Sequence, residues 1–227
     1  FPGVFQITHN RYVYSWLVRG REQSLLIDTG YGLTDLKTLA ESLAGNEIIV
    51  VNTHGHYDHT YGNFQFDRVH LSREDLPLAI KSYGMDIRLE KIKDFDTSDL
   101  PSGMSVMDWM DAPHPETSPL DAGVSFDLGG RTIETIPTPG HTAGSVCFLD
   151  PAGRILFSGD TIYRGYLLLH FESSTELSVY RDSLARICSR KKEFDWILPA
   201  HGRTPLKADF AEGILEGVEK IISGKRP

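Results

Sequence analysis

Three histidines and one aspartate fall within six positions of this sequence, between His54 and His59. They follow the apolar run 48–51, which is typical of a buried strand, so the cluster is expected to begin where a strand ends. Imidazole nitrogens and carboxylate oxygens are the ligands that zinc and similar divalent metals bind. If the turn projects His54 and His56 the same way, these two can bind one metal, while Asp58 and His59 bind a second. A structural zinc site more often contains cysteine, and none is nearby.

Three further segments each place one potential metal ligand at a strand end or in a loop. His141 lies in the turn 139–145, Asp160 comes just after the run 154–157, and His201 follows another short apolar run. Loops on a rigid scaffold are where catalytic groups usually lie. Five histidines and two aspartates suffice for two metals, with three histidines on one metal, an aspartate and two histidines on the other, and one carboxylate between them.

The order HxHxDH, then His, then Asp, then His resembles the pattern of metallo-β-lactamase-fold hydrolases. It is most similar to the glyoxalase II-like thioesterases and the lactonases of that superfamily. The resemblance runs from about Val13 to His201 and includes the IDTG stretch at 27–30. By this resemblance the metal ligands are His54, His56 and His141 for the first metal, Asp58, His59 and His201 for the second, and Asp160 as the bridge.

The resemblance implies two divalent metal ions per chain, with zinc expected first and iron or manganese as alternatives. A water that bridges two such cations loses a proton near neutral pH and becomes a nucleophile. Asp58 and Asp160 partly neutralise the metals, and the remaining positive charge stabilises an oxyanion. We therefore expect a zinc-dependent hydrolase that uses a metal-bridging hydroxide, with Asp58 as a catalytic group as well as a ligand.

The bond cleaved is predicted to be an acyl bond, in a thioester or a lactone. Lactonases of this superfamily carry a tyrosine three residues after the bridging aspartate, and Tyr163 has that position. Its phenol could donate to the carbonyl or to the leaving alkoxide, the alternative being a packing residue. The glyoxalase II-like branch shares the Ser-Gly-Asp-Thr context. It usually has phenylalanine at position 163 and a C-terminal glutathione-binding element that this sequence does not show.

Other functions stay open at this point. A phosphodiesterase or nuclease of the same superfamily is opposed by the formal net charge of −8, because nucleic-acid partners usually face a basic surface. A diiron redox protein usually replaces one motif histidine by glutamate, whereas His56 is present here. A non-catalytic metal-binding protein would tolerate the loss of a ligand, and none is lost. We expect a small acyl substrate, no nucleic acid and no membrane, and leave a homodimer open.

Composition favours a cytoplasmic enzyme. Cys147 and Cys188 are too few for a disulfide framework and are expected to be small core residues. No apolar run approaches the length that spans a membrane. No signal peptide is visible, although the sequence begins at Phe1 without methionine, so a removed export signal stays open.

Strand-like and helix-like runs alternate in an order that predicts an α/β protein, taken as one domain over 1–227. Burying both faces of each sheet gives layers. The resemblance gives their number, a four-layer αββα sandwich of two mixed sheets packed face to face with helices outside. Strands are predicted at 4–8, 12–18, 24–27, 48–52, 68–71, 124–127, 131–136, 145–149 and 154–157, and helices at 34–43, with Thr34 as N-cap, 176–188 and 208–223.

Residues 71–120 break this alternation. All four methionines lie here, with Tyr83 and Trp109, among glycine, proline and aspartate. Because thioethers adapt to irregular apolar surfaces, we predict a lid or substrate wall over the metal site. The alternative is a connecting segment whose methionine and tryptophan side chains cover the sandwich.

Asp28 follows the strand-like run 25–27, and a buried carboxylate needs partners. By resemblance it hydrogen-bonds the backbone of the metal-binding loop and supports the ligands without being one. The remaining histidines have no motif partner and are expected to be structural or exposed: His9, His70, His114 and His170.

Overall fold

The computed structural model of the protein describes residues 1–10 and 13–225, with the backbone alone for Asp99. The chain forms two compact units. Unit 1 comprises Phe1–Asp121 and Leu128–Gly130, and unit 2 comprises Ala122–Asp127 and Arg131–Pro227.

Unit 1 is built on a six-stranded mixed sheet with the order β1-β2-β3-β4-β5-β6. The first three strands form an antiparallel meander, and β3, β4, β5 and β6 run parallel to one another. The strands are β1 Val4–His9, β2 Val13–Arg19, β3 Gln23–Ile27, β4 Glu47–Val51, β5 Arg68–Leu71 and β6 Glu116–Pro119. The predicted strand 12–18 begins at Tyr12, which lies outside the described residues, and its remainder corresponds to β2.

The helices of unit 1 are α1 Leu36–Ala44, α2 Tyr57–Thr60, α3 Leu76–Ser82, α4 Met85–Lys91 and α5 Val106–Asp111. The prediction of Thr34 as the N-cap of α1 was wrong. Asp35 caps the helix instead, because its carboxylate accepts the Thr38 amide at 3.1 Å. The helix ends at Gly45, which has the left-handed φ of 70° that a helix C-terminus favours.

One hydrophobic core of unit 1 lies between α1 and the sheet. Residues 25–27 of β3 are all 1% exposed or less, as expected of a strand in a parallel region that is covered on both faces. The apolar side chains of α1 that face the sheet recur at the spacing of an amphipathic helix. The buried members of this cluster are Ile7, Leu17, Leu26, Leu36, Ala40, Ala44, Val50, Phe66 and Val69.

Residues 71–120 contain three of these helices and β6, so the segment is more regular than its composition suggested. Helix α5 begins with a reciprocal capping box between Ser105 and Asp108. Trp109 is fully buried and donates its indole N–H to the Tyr31 carbonyl at 2.9 Å. Trp109 thus packs within unit 1, and a lid or substrate wall formed by residues 71–120 stays a prediction.

Arg88 of α4 is fully buried and ties α4 to the end of α5. Its guanidinium donates to the carbonyls of Trp109, Met110 and Ala112, at the C-terminal end of that helix. The negative end of the helix dipole thus faces a cation. The guanidinium carbon also lies 4.3 Å from the centre of the Tyr83 ring, within the range of a cation–π contact.

Unit 2 is built on a second six-stranded mixed sheet with the order β12-β11-β10-β9-β8-β7. Neighbouring strands are antiparallel except for β10 and β11, which are parallel. The elements are β7 Ser125–Asp127, β8 Thr132–Pro137, β9 Val146–Asp150, β10 Ile155–Gly159, α6 Leu177–Ser189, β11 Trp196–Pro199, β12 Leu206–Lys207 and α7 Phe210–Ile222.

The predicted helices 176–188 and 208–223 correspond to α6 and α7, with ends that differ by one or two residues. Cys147 is fully buried in β9, and burial raises the pKa of its thiol to about 11, as fits a core residue. Cys188 is half-buried. Across residues 1–10 and 13–225, no helix combines the length and apolar composition needed to cross a membrane.

His9 is 3% exposed, and its Nε2 lies 2.8 Å from the Ser15 hydroxyl. Burial, with a smaller contribution from His59, lowers the pKa of His9 to about 4. The unfolded chain takes up this proton near pH 6.5. The stabilisation from neutral His9 is therefore complete above about pH 6.5 and is lost as the pH falls towards 4.

We expect His9→Gln, which stays neutral, to remove about 3 kcal/mol of the decrease in unfolding free energy between pH 7 and pH 4. Urea unfolding of the wild type and the variant at both pH values, with EDTA present, measures this difference. Equal decreases in the two proteins would contradict the neutral, buried state of His9.

Candidate functional site

The candidate ligands of unit 1 lie in residues 53–60, called the metal-binding loop here, which follow β4 and include α2. His54 and His59 are buried, while His56 and Asp58 are half-buried. His54 Nε2 lies 3.1 Å from His56 Nδ1, and His59 Nε2 lies 3.6 Å from Asp58 Oδ2. The loop therefore brings candidate donor atoms close together, and their division between two metals stays a prediction.

These separations fit metal ligands. Two ligands at about 2.0–2.1 Å from a tetrahedral zinc lie about 3.3 Å from each other. The Thr53 hydroxyl donates to Asp28, so it accepts a hydrogen bond from His54 Nδ1. His59 Nδ1 donates to Asp28 at 2.9 Å. Both rings thus keep the lone pair of Nε2 for a metal, which is the tautomer that ligation requires.

Asp28 follows β3 and holds the metal-binding loop against the sheet. Its carboxylate is 1% exposed and accepts the Thr53 amide at 2.7 Å, the Thr53 hydroxyl at 2.8 Å and His59 Nδ1. Its φ of 62° lies in the left-handed region, which costs free energy for a residue with a side chain. These three hydrogen bonds offset that cost, and they confirm the support of the loop backbone expected from the sequence.

A second carboxylate supports the loop and was not anticipated. Asp75 is buried and accepts the Gly55 amide at 2.8 Å, between the first two histidines. Only glycine fits at position 55, because a Cβ there would lie 2.6 Å from the Asp75 carbonyl oxygen. Asp75 precedes α3 without capping it. In the sequence it reads as a helix-start residue, and nothing local links it to Gly55, 20 residues earlier.

Beneath the loop, a buried polar network fixes the backbone of His59. The Thr29 amide and the Asn52 side-chain amide both donate to the His59 carbonyl, at 2.9 and 3.0 Å. Asn63 in turn donates to Asn52 at 2.8 Å. Gly62 allows this approach, since a Cβ there would lie 2.2 Å from the Thr29 carbonyl oxygen.

In unit 2, each of the two carboxylate oxygens of Asp160 lies near the Nε2 atom of a different histidine. His141 Nε2 lies 3.5 Å from Asp160 Oδ2, and His201 Nε2 lies 3.3 Å from Asp160 Oδ1. Both distances are longer than a charge-assisted hydrogen bond of about 2.7–2.9 Å. Both are close to the separation of two ligand atoms that bind the same metal. The arrangement suits a carboxylate that is shared by two cations, each with its own histidine.

His141 is positioned by backbone contacts. Its Nδ1 donates to the Leu168 carbonyl at 2.7 Å, which leaves Nε2 facing Asp160. The turn before it needs glycine, because a Cβ on Gly140 would lie 2.3 Å from the Tyr180 ring. The Leu168 partner could not be identified from the sequence, since any residue supplies a carbonyl.

Tyr163 lies beside His201, with ring centres 6.0 Å apart, and it is 8% exposed. Its hydroxyl donates to the Tyr166 carbonyl. To donate to a substrate, the Tyr163 hydroxyl therefore has to give up its hydrogen bond to the Tyr166 carbonyl. Among the other histidines, His9 is buried while His70 and His114 are half-buried, and His170 is exposed, in line with structural or surface roles.

Comparison with known proteins gives matches over most of the chain. A family model described as the metallo-beta-lactamase superfamily matches residues 10–201. The human protein named acyl-coenzyme A thioesterase MBLAC2 is 32% identical over 166 residues, which are 67% of this chain. The match covers 59% of the human protein, so this chain spans less than two thirds of its length.

Solved structures give the same result for the fold. A metallo-beta-lactamase from Pontibacter korlensis superposes with a TM-score of 0.67 over 95% of this chain and 93% of its own, at 20% identity. The protein TTHA1623, solved in a di-iron-bound form, superposes with a TM-score of 0.66 over 92% of this chain and 97% of its own. Its sequence is 26% identical to this one.

We expect Asp28→Asn to lower the affinity of the protein for zinc by about 10-fold to 100-fold, because an amide cannot accept from Thr53 and His59 as the carboxylate does. Competition with a chelating dye measures this affinity. The matched control is Asp150→Asn, which alters a buried carboxylate paired with Arg131 and should change stability without changing zinc affinity. Unchanged zinc affinity in Asp28→Asn would show that Asp28 supports the fold alone.

Proposed function

Because the chain belongs to the metallo-beta-lactamase superfamily, we propose that it is a metal-dependent hydrolase that cleaves an acyl thioester with two metal ions. The predicted αββα sandwich is confirmed as its fold class. The observation that carries the dinuclear part of the proposal is Asp160, whose two oxygens each lie within 3.5 Å of a different histidine.

The proposed ligands are those expected from the sequence. Within each unit, the candidate donor atoms lie 3.1–3.6 Å apart, close to the spacing of two ligands on one metal. Nitrogen and oxygen donors without thiolate suit zinc and also iron or manganese. We assign His54, His56 and His141 to the first metal, Asp58, His59 and His201 to the second, and Asp160 to both.

When bound, two such cations generate a nucleophile from water at neutral pH and polarise the acyl carbonyl. The residues of the chain determine where these cations would bind. Asp28 and Leu168 fix the tautomers of His59 and His141. Asp58 is 18% exposed, so solvent reaches its carboxylate, and its proposed catalytic role is to take and release a proton there.

The thioester is favoured over other bonds by the human relative, whose name states a thioesterase activity. A lactone remains the second candidate, because Tyr163 lies beside His201 and its phenol becomes a donor to a leaving oxygen once it gives up the Tyr166 carbonyl. The acidic net charge of −8 opposes a nucleic-acid substrate.

A hydrolysis panel on metal-replete protein tests the proposed function. The panel contains an acyl-coenzyme A, S-lactoylglutathione, an acyl-homoserine lactone, nitrocefin and bis-p-nitrophenyl phosphate. We expect kcat/KM to be highest for a thioester. Highest activity on the phosphodiester, or no hydrolysis of any acyl substrate, would overturn the proposal.

Asp160→Ala assigns the activity to this carboxylate. It should lower metal content from two ions per chain towards one or fewer, by elemental analysis, and abolish hydrolysis. Asp195→Ala is the matched control, since Asp195 is exposed and pairs with Arg154. Two tightly held metals in Asp160→Ala would contradict the bridging role.

Tyr163→Phe tests the phenol. Removal of an oxyanion donor from a water-excluding site costs about 10²–10³ in kcat, and an open site shows less, so we expect kcat to fall with KM little changed. Tyr166→Phe, which deletes a hydroxyl from a ring that is 93% exposed, is the control. Full kcat in Tyr163→Phe would identify Tyr163 as a packing residue held by the Tyr166 carbonyl.

A further inference from the structure

A groove of about 700 Å³ lies in unit 2 between the loops that follow Tyr163 and His201 and the first turns of α7. We call it the arginine groove. Its polar side is formed by Arg164, Arg203 and Lys207, and its apolar side by Leu206, Phe210 and Ile214. Its volume falls in the range of about 300–1,000 Å³ that small-molecule sites occupy.

The arginine groove is continuous in sequence with the proposed catalytic residues. Arg164 directly follows Tyr163, and Arg203 is two residues after His201. The two loops touch at Gly202, where a Cβ would lie 2.8 Å from the Arg164 carbonyl oxygen. Both arginines line the same groove, and each lies within a few residues of a proposed metal ligand.

The two arginines of the groove are available to a ligand. Among the described residues, Arg164 and Arg203 have no hydrogen bond or ion pair of their guanidinium groups. Asp209, an acidic residue on the rim, pairs with Lys191 at 2.5 Å. The ammonium of Lys207 lies 3.4 Å from the centre of the Trp196 ring. The groove therefore offers two uncompensated guanidinium groups.

A second groove in unit 2 shows that a groove with basic residues does not always offer unpaired positive charges. It has a volume of about 730 Å³ and includes Arg154 and Lys191. Arg154 pairs with Asp195 at 2.7 Å, and Lys191 pairs with Asp209 and Glu212. These two cations are thus paired with carboxylates of their own groove, whereas Arg164 and Arg203 of the arginine groove have no such partner among the described residues.

We propose that the arginine groove binds the phosphate groups of the thiol that leaves the thioester, a phosphate-bearing thiol of the coenzyme A type. This rests on the proposed thioesterase function. The planar guanidinium forms paired hydrogen bonds with phosphate oxygens, and two of them match a group with several negative charges. Phe210 and the aliphatic side chains beside it suit the flat face of a nucleobase. The carboxylates of glutathione also accept hydrogen bonds from guanidinium groups, and the test below distinguishes a phosphate-bearing thiol from glutathione.

Binding of adenosine 3′,5′-bisphosphate tests the groove without any thioester. Isothermal titration should show binding to the metal-replete wild type that weakens with added salt. Arg164→Ala and Arg203→Ala should each raise the Kd for the bisphosphate about tenfold. Arg203→Lys should raise this Kd less, because lysine keeps the positive charge but cannot form the paired hydrogen bonds of a guanidinium group. The matched control is Arg181→Ala, which removes an arginine of α6 that pairs with Asp182. Equal Kd values in all variants would overturn the proposal.

Catalysis separates this proposal from the proposed function. The ratio of kcat/KM for an acyl-coenzyme A to that for the same acyl group on N-acetylcysteamine should fall about tenfold in Arg203→Ala, mainly through KM. Hydrolysis of both thioesters with an unchanged ratio would overturn the groove and leave the thioesterase. Absence of thioester hydrolysis with retained bisphosphate binding would overturn the thioesterase and leave the phosphate site. A preference for S-lactoylglutathione that depends on Arg203 would replace phosphate by carboxylate as the ligand.

Discussion

The buried carboxylate of Asp28 is the interaction on which the candidate site of unit 1 depends. A charge removed from water needs several partners, and Asp28 finds three in Thr53 and His59. Its own position follows from the sheet, because Ile27 pairs with Val51 across the parallel strands β3 and β4, and the Asp28 amide donates to the Val51 carbonyl at 2.8 Å. The register of two strands thus sets the tautomer of His59, a proposed metal ligand.

In unit 2, another pair of parallel strands positions the candidate metal ligands. Asp160 follows β10 and His201 follows β11, the parallel pair in that sheet. Because parallel strands end at the same edge, residues that come just after them lie together, although they are far apart in sequence. Gly159 pairs with Pro199, and the Ala200 amide donates to the Gly159 carbonyl at 3.2 Å. This hydrogen bond brings His201 to one oxygen of Asp160.

The sequence predicted the parts of the fold and site that depend on local patterns. The spacing from His54 to His59, the strands that precede the ligands and the amphipathic helices all have a signal within a few residues. The contact of Asp75 with Gly55 and that of His141 with the Leu168 carbonyl have none, because tertiary structure brings them together. Residues 71–120 were least predictable, since their core contains a buried arginine, a residue type that is ordinarily exposed.

Burial differs between two residues proposed to bind a metal and the two arginines proposed to bind the leaving group. His141 and Asp160 are 2% and 8% exposed and are fixed by backbone or sheet contacts, whereas Arg164 and Arg203 are exposed on the same stretches of chain. A substitution at an exposed arginine costs little stability. A change at a buried ligand also disturbs the loop that carries it. If both proposals hold, a change of leaving group needs substitutions only at the exposed arginines, and the buried side chains keep their positions.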